Sequence, residues 1–228
     1  MNGRAALVWT CFFGVSALGL MLAGFTVWDQ PALEAVRDGA GRSWKNTARA
    51  LSFYGDFPWL FGSGIIALWL SLRFRARRWA RIITAMLLAG ILAGMVSNVV
   101  KLGTGRVRPR TEDVQHGWYG PWHEGRWVTL EHKFQGFPSS HAACAFGFFY
   151  PLFLSRRGWG AAGLLAAAAI AWSRVQLNAH HISDVAAGAL LGFVAGWIVW
   201  RWIVERGGLE RWLGPTEVTA EGVPRPAA

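Results

Sequence analysis

Charge is scarce in this chain. Only 16% of its 228 residues are Asp, Glu, Lys or Arg, where a soluble domain carries roughly a quarter. With 53% hydrophobic residues and a mean hydropathy of +0.27, an ordinary soluble domain is excluded. Acids are scarcer still, 13 against 23 Lys and Arg, for a net charge of +10. In a soluble protein that balance would point first to nucleic acid. Here the arginines gather between apolar runs, as in the cytoplasmic loops of membrane proteins, so no nucleic-acid partner is expected. Cysteine is almost absent. Cys11 and Cys144 fall inside apolar runs with no metal-ligating neighbour, so they are read as small buried apolar residues and say nothing of redox compartment. Histidine is missing outside the stretch from His116 to His181. Its six members offer no pair at the spacing of a zinc site, so no metal and no cofactor is assigned.

What is abundant fits a bilayer. Fifteen Trp and 28 Gly suit interfacial belts and close helix contacts. The uncharged run Ala5 to Trp28 is long enough to span. No small-x-small cleavage site follows it, so it is read as a retained helix rather than a signal peptide. Further apolar runs predict helices over Phe57 to Leu72, Ile82 to Val100, Ser139 to Ser155, Trp159 to Ser173 and Asp184 to Trp202. The expectation is an all-α, polytopic membrane protein with six transmembrane helices. Several runs are short for a bilayer core unless their ends reach the headgroup zone.

Between the first two runs, residues 29–56 hold four acids and four bases. Pro31 can open a short helix there, and Leu33, Val36, Trp44 and Leu51 suggest a segment lying on the membrane surface. Five arginines within Arg73 to Arg81, and Arg156-Arg157 after the fourth run, read as cytoplasmic turns. The N-terminus and tail then also lie in the cytoplasm. The ends of helices three and five and the starts of four and six face outward. Residues 206–228 read as a largely disordered cytoplasmic tail. The loop from Thr111 to Gln135 carries Trp118, Tyr119, Trp122 and Trp127, either an interfacial belt or a lid over the opening for a lipid chain.

Three reactive stretches fall at those outward ends. Lys101 to Arg110 holds four cations and two glycines, suited to a multiply charged anion. Gly136-Phe137-Pro138-Ser139-Ser140-His141 opens a helix, where free backbone N–H groups favour an anion and serines commonly cap. Ser173-Arg174 leads to His180-His181 and Asp184, ionisable groups that are costly near a membrane and usually functional. His180 and Asp184 are four apart. If the sixth helix has begun by then, a carboxylate–imidazole bond can fix the tautomer and free the other ring nitrogen as nucleophile or base.

Taken together, Lys101-x6-Arg108-Pro109, Pro138-Ser139-Ser140-His141 and Ser173-Arg174-x5-His180-x3-Asp184 resemble the linked motifs of the type 2 phosphatidic acid phosphatases, the PAP2 superfamily. Ser140 stands where that family has Gly, and either crowds the phosphate or adds a hydroxyl donor. The resemblance implies a PAP2-like helical bundle over residues 1–205 and a metal-independent phosphatase of lipid phosphates or diphosphates. In it His180 would be the nucleophile forming a phosphohistidine, oriented by Asp184. His141 would serve as general acid and base. Lys101, Arg108, Ser139, Ser140 and Arg174 would bind the phosphate. His181, one residue off the pattern, is expected to be a supporting residue. Undecaprenyl diphosphate ranks first among the substrates so implied, then lipid A or phosphatidylglycerol phosphate, with membrane lipids as the surroundings. Phosphatidic acid is a further family substrate. The expected setting is a bacterial inner membrane with the site facing the periplasm. A lipid phosphotransferase using the same phosphohistidine, or a non-catalytic lipid-binding protein, are the alternatives. Oligomeric state is left open.

Overall fold

The computed structural model describes residues 3–39 and 42–206. The described residues are mostly helical: α1 (Gly3–Ala23), α2 (Asp29–Arg37), α3 (Lys45–Tyr54), α4 (Phe57–Arg73), α5 (Arg77–Thr104), α6 (Ser140–Ser155), α7 (Arg157–Gln176) and α8 (Ile182–Trp200). A wide helical turn, Gly24–Trp28, joins α1 to α2, so Gly3–Arg37 runs without a break. The tail expected to be disordered lies, beyond Arg206, outside the described residues.

Helix α6 is the hub, packed against α5, α7 and α8, while α1 lies along α8. Its Phe148 meets Phe61 of α4 and Leu87 of α5 in one core. Its Tyr150 and Phe153 join Phe193 and Trp200 of α8 in a second. Gly188 lets α8 press against the start of α6, since a Cβ there would sit 2.4 Å from the Ser139 carbonyl oxygen. The outside is apolar: Val8, Phe12 and Val15 of α1 are exposed, as expected of surface meeting lipid rather than water. Cys11, expected to be buried, is exposed on that same helix, and Cys144 is buried on α6.

Among the described residues, three segments are long and apolar enough to cross a membrane: Gly3–Arg37, Arg77–Thr104 and Ile182–Glu205. A fourth is added if α3 and α4, which meet at 49°, are one bent span. The stretch expected to lie on the membrane surface forms α2, continuous with the first candidate span, and α3, bent against α4, with Leu33 buried and Trp44 exposed. The loop between α5 and α6 has a small core of its own in Val107, Val128 and Phe134. A two-residue hairpin, β1 (Trp122–His123) and β2 (Arg126–Trp127), carries Trp122 against Trp127, both exposed.

Candidate active site

The three reactive stretches meet at one end of the bundle. Lys101 lies in the last turn of α5, 6% exposed. Gly105, at φ +59°, ends that helix in the left-handed region, and a Cβ there would strike the Gly120 carbonyl. Beyond Gly105, Val107 turns into the core of the loop, with Arg106 and Arg108 on either side of it in the chain. Both arginines reach the α7–α8 turn. Arg108 Nε donates to the His132 carbonyl at 2.9 Å, and its Nη1 lies 3.5 Å from His180 Nε2.

His180 is 2% exposed. Its Nδ1 is 2.6 Å from the Gly136 carbonyl oxygen. A carbonyl only accepts, so the proton sits on Nδ1 and Nε2 keeps its lone pair toward Arg108. Burial pushes the imidazole down to about 3, with Asp184 opposing and Arg108 assisting, so it is neutral at working pH. Asp184 Oδ2 is 3.7 Å from His180 Nδ1, beyond hydrogen-bond length. Helix α8 begins only at Ile182, so His180 precedes it and the i, i+4 bond foreseen from spacing does not form. Asp184 instead accepts from the His181 backbone N–H at 2.7 Å and lies 3.2 Å from His181 Nδ1. His181, at the cap of α8, is thus the imidazole bonded to that carboxylate.

At the start of α6, the Ser139 N–H donates to the Asp184 carbonyl at 2.9 Å. Ser139 is fully buried and its hydroxyl has no partner among the described residues. A buried hydroxyl without a partner is costly, and fits a site that is completed by a ligand. Ser140 Oγ accepts from Lys101 Nζ at 2.5 Å. His141 Nε2 is 3.2 Å from Asp56 Oδ1. Arg174, in the last turn of α7, donates through Nη1 to Ser52 of α3, and its buried Nε is without a partner.

Among the described residues, Lys101, Arg108 and Arg174 form no ion pair with a carboxylate. They lie close enough to act on one another and on His141. Burial, then Arg110 and Arg174, push the Arg108 guanidinium down to about 10. Crowded cations without a carboxylate ion pair, with a neutral imidazole beside Arg108, suit an anion of more than one charge. No group of three or more His, Cys, Asp or Glu among the described residues is arranged to hold a metal ion.

The sequence profile of the PAP2 superfamily matches residues 78–207, more than half of the chain. The chain belongs to the PAP2 superfamily. Among solved structures, the crystal structure of Aquifex aeolicus LpxE is similar, at 21% identity and a TM-score of 0.52, over 75% of this chain and 93% of that one. At that identity the likeness is one of fold. No curated protein matches the sequence.

The PAP2 residues foreseen from the motifs thus lie together, but with partners that the motifs do not name. Arg106, read as one of four anion-binding cations, is instead taken up by carboxylates of the protein. It donates to Asp184 Oδ1 at 2.5 Å, Asp29 Oδ2 at 2.8 Å and Ser183 Oγ at 2.6 Å. Asp29 and Asp56 were missed. Each had a local signal: Asp29 is the first charge after the uncharged run, and Asp56 precedes Phe57-Pro58 as the cap of α4. The Gly136 carbonyl, which holds His180, has no signal in side-chain identity.

Proposed function

We propose that this PAP2 protein is an integral membrane phosphatase that removes phosphate from a lipid phosphate or diphosphate through a phosphohistidine on His180. The observation that carries the reading is the trio Lys101, Arg108 and Arg174, without a carboxylate partner among the described residues and close to one another, with Arg108 Nη1 3.5 Å from His180 Nε2. His180 Nε2 attacks phosphorus, and the bond to the leaving lipid oxygen breaks. His141, held by Asp56 through one nitrogen, gives its proton to that oxygen. The phosphorylated ring keeps its Nδ1 proton and gains positive charge, which the Asp184 carboxylate at 3.7 Å offsets. Water then attacks phosphorus and gives a proton to His141, the N–P bond breaks, and phosphate leaves with His180 neutral again. The three cations, the Ser139 hydroxyl and the Ser140 N–H neutralise and orient the phosphoryl oxygens. The cycle uses groups of the protein and water, and needs no metal.

The same proposal includes six spans, with α6 and α7, of 16 and 20 residues, reaching into the headgroup zone. It puts the termini in the cytoplasm and the site on the periplasmic side of a bacterial inner membrane. Arg73, Arg75 and Arg156 at the opposite ends of the helices support that orientation. Undecaprenyl diphosphate comes first among candidate substrates, with lipid A, phosphatidylglycerol phosphate and phosphatidic acid beside it. The test is phosphate release by detergent-purified protein from each of these lipids, with chelator present and no hydroxyl acceptor. Release that disappears in His180→Ala is expected. Release retained in a folded His180→Ala protein, or release only when an acceptor is added, would overturn the hydrolase mechanism.

A further inference from the structure

Ser140 is the one motif position at which this chain departs from the resembled pattern, and its hydroxyl is not idle. Ser97, Asn98 and Lys101 occupy one stretch of α5, with Ser97 and Lys101 four apart and so on one face. All three reach the first residue of α6. Lys101 Nζ donates to Ser140 Oγ at 2.5 Å. Ser140 Oγ donates to Asn98 Oδ1 at 2.8 Å. Ser97 Oγ lies 3.1 Å from the same oxygen. A hydroxyl has one proton and two lone pairs. The proton is given to Asn98, and the lone pairs face Lys101 and Ser97. Nothing of the hydroxyl remains to donate to a substrate.

We propose that Ser140 is a positioning residue that fixes the Lys101 ammonium in the phosphate cradle by clasping it to the α5–α6 junction. Lysine ends in a point charge on a flexible four-carbon stem. A buried ammonium with no carboxylate partner has every reason to wander toward the nearest carbonyl. The Ser97–Asn98–Ser140 group gives it one address. The serine side chain thereby neither crowds the phosphate nor binds it, and contributes through Lys101 alone. The inference rests on the phosphatase reading for its kinetic arm, and its binding arm is independent of it.

The experiment compares wild type, Ser140→Ala, Ser140→Thr, Lys101→Met and the Ser140→Ala/Lys101→Met pair in detergent. The binding arm titrates inorganic phosphate by calorimetry against the wild type and the two Ser140 variants. The kinetic arm measures kcat/KM for the lipid that wild type turns over. Loss of the hydroxyl is expected to weaken phosphate binding roughly tenfold, the worth of one charge-assisted hydrogen bond, and to raise KM more than it lowers kcat. Ser140→Thr, which restores a hydroxyl, recovers at least half of that loss. In the Lys101→Met background, adding Ser140→Ala changes kcat/KM by less than about twofold, since only coupled residues depart from additivity. Tighter phosphate binding in Ser140→Ala would mean that the hydroxyl crowds the site. A tenfold loss repeated in the Lys101→Met background would mean that it touches substrate itself. Either result overturns the clasp. A wild type that releases no phosphate from any lipid would instead sink the phosphatase reading, and the binding arm would still decide the inference.

Discussion

Arg106 and Asp184 are joined by an ion pair of 2.5 Å, in which the arginine side chain is 9% exposed and the aspartate not at all. On its other side the same guanidinium binds Asp29 at 2.8 Å, and Phe25 and Trp118 lie against it at 5.1 and 4.9 Å. Asp29 also accepts from the Ser183 N–H and hydroxyl at 3.0 and 2.5 Å. One cation therefore serves two buried carboxylates, and it ties the first helical run to the turn that carries His180. Asp29 lies outside the part of the chain that matches the PAP2 profile, so this support is built partly from residues that the profile does not cover.

Removing Arg106 leaves two carboxylates uncompensated in a buried setting. Arg106→Met is expected to destabilise by about 3–5 kcal/mol, the cost of breaking a buried pair from one side. Asp29→Asn keeps an acceptor for Ser183 and costs about 1–2 kcal/mol. Thermal unfolding in detergent checks both. An Arg106→Met protein as stable as wild type would show that the network does not hold the fold.

His180 gives a pH signature with a definite sign. In the folded chain burial holds it neutral down to about 3, with Asp184 opposing and Arg108 and Lys101 assisting. In the unfolded chain it titrates near the ordinary value of about 6.5. Between those values the unfolded state binds the extra proton, so stability falls as pH drops from about 6.5 toward 4. His180→Asn removes the titrating group, and an amide can still donate to the Gly136 carbonyl. Its unfolding free energy is expected to change less with pH across that window than that of wild type. Parallel curves would place the ring in a more solvated site.

The same residue sets the activity. Replacing His180 by Ala is expected to lower turnover at least about a thousandfold, since nucleophile and acid–base partner act as a unit. Adding His141→Ala to that variant costs little more. Single-turnover phosphate release measures both, and a double variant much slower than His180→Ala would contradict the shared mechanism.

Much of this site is legible in the sequence. Lys101, Arg108, His141, Arg174 and His180 carry chemistry in their identities, and the apolar runs between them dictate that they meet at one end. What spacing could not give is direction. Arg106 and Arg108 are two residues apart and chemically alike. Yet one supports Asp184 from behind and the other faces the imidazole. Helix α8 starts at Ile182, two residues before the start expected at Asp184 but still after His180; His180 therefore bonds a backbone carbonyl and His181 the carboxylate, and a two-residue shift in a helix start is below what sequence pattern resolves. Asp56 comes to His141 from a helix more than 80 residues earlier, a pairing that only the packing of α4 beside α6 creates.

That distant carboxylate makes a prediction of its own. Asp56 is the N-cap of α4, where its side chain accepts from the Phe57 N–H at 2.8 Å, and it holds His141 at 3.2 Å. Asp56→Asn keeps the capping function, because Asn caps as well as Asp, and removes only the charge beside the imidazole. The expected result is unchanged thermal stability with kcat lowered about tenfold or more, in the range seen when a partner orienting a functional histidine is lost. KM should change less than kcat, since Asp56 bonds the acid–base group rather than a phosphate-binding cation. A change in KM alone would assign Asp56 to substrate binding.

Gly188 tests the geometry that makes all of these contacts possible. A Cβ on it would sit 2.4 Å from the Ser139 carbonyl oxygen, 3.0 Å from the Ala142 Cβ and 3.1 Å from the Ala143 nitrogen. All three are fixed to the backbone at the start of α6, so none can rotate aside. Gly188→Ala must therefore push α8 away from Ser139, stretching the Ser139 N–H bond to the Asp184 carbonyl and moving His180 relative to His141. Overpacking of this kind costs about 1–3 kcal/mol, and a displacement of about 1 Å can cost a hundredfold in rate. The expected protein is folded, less stable in detergent and nearly inactive. Gly62, where a Cβ meets nothing within 4 Å, supplies the control: Gly62→Ala keeps wild-type turnover. Equal turnover in the two variants would mean that the α6–α8 crossing does not set the catalytic distance.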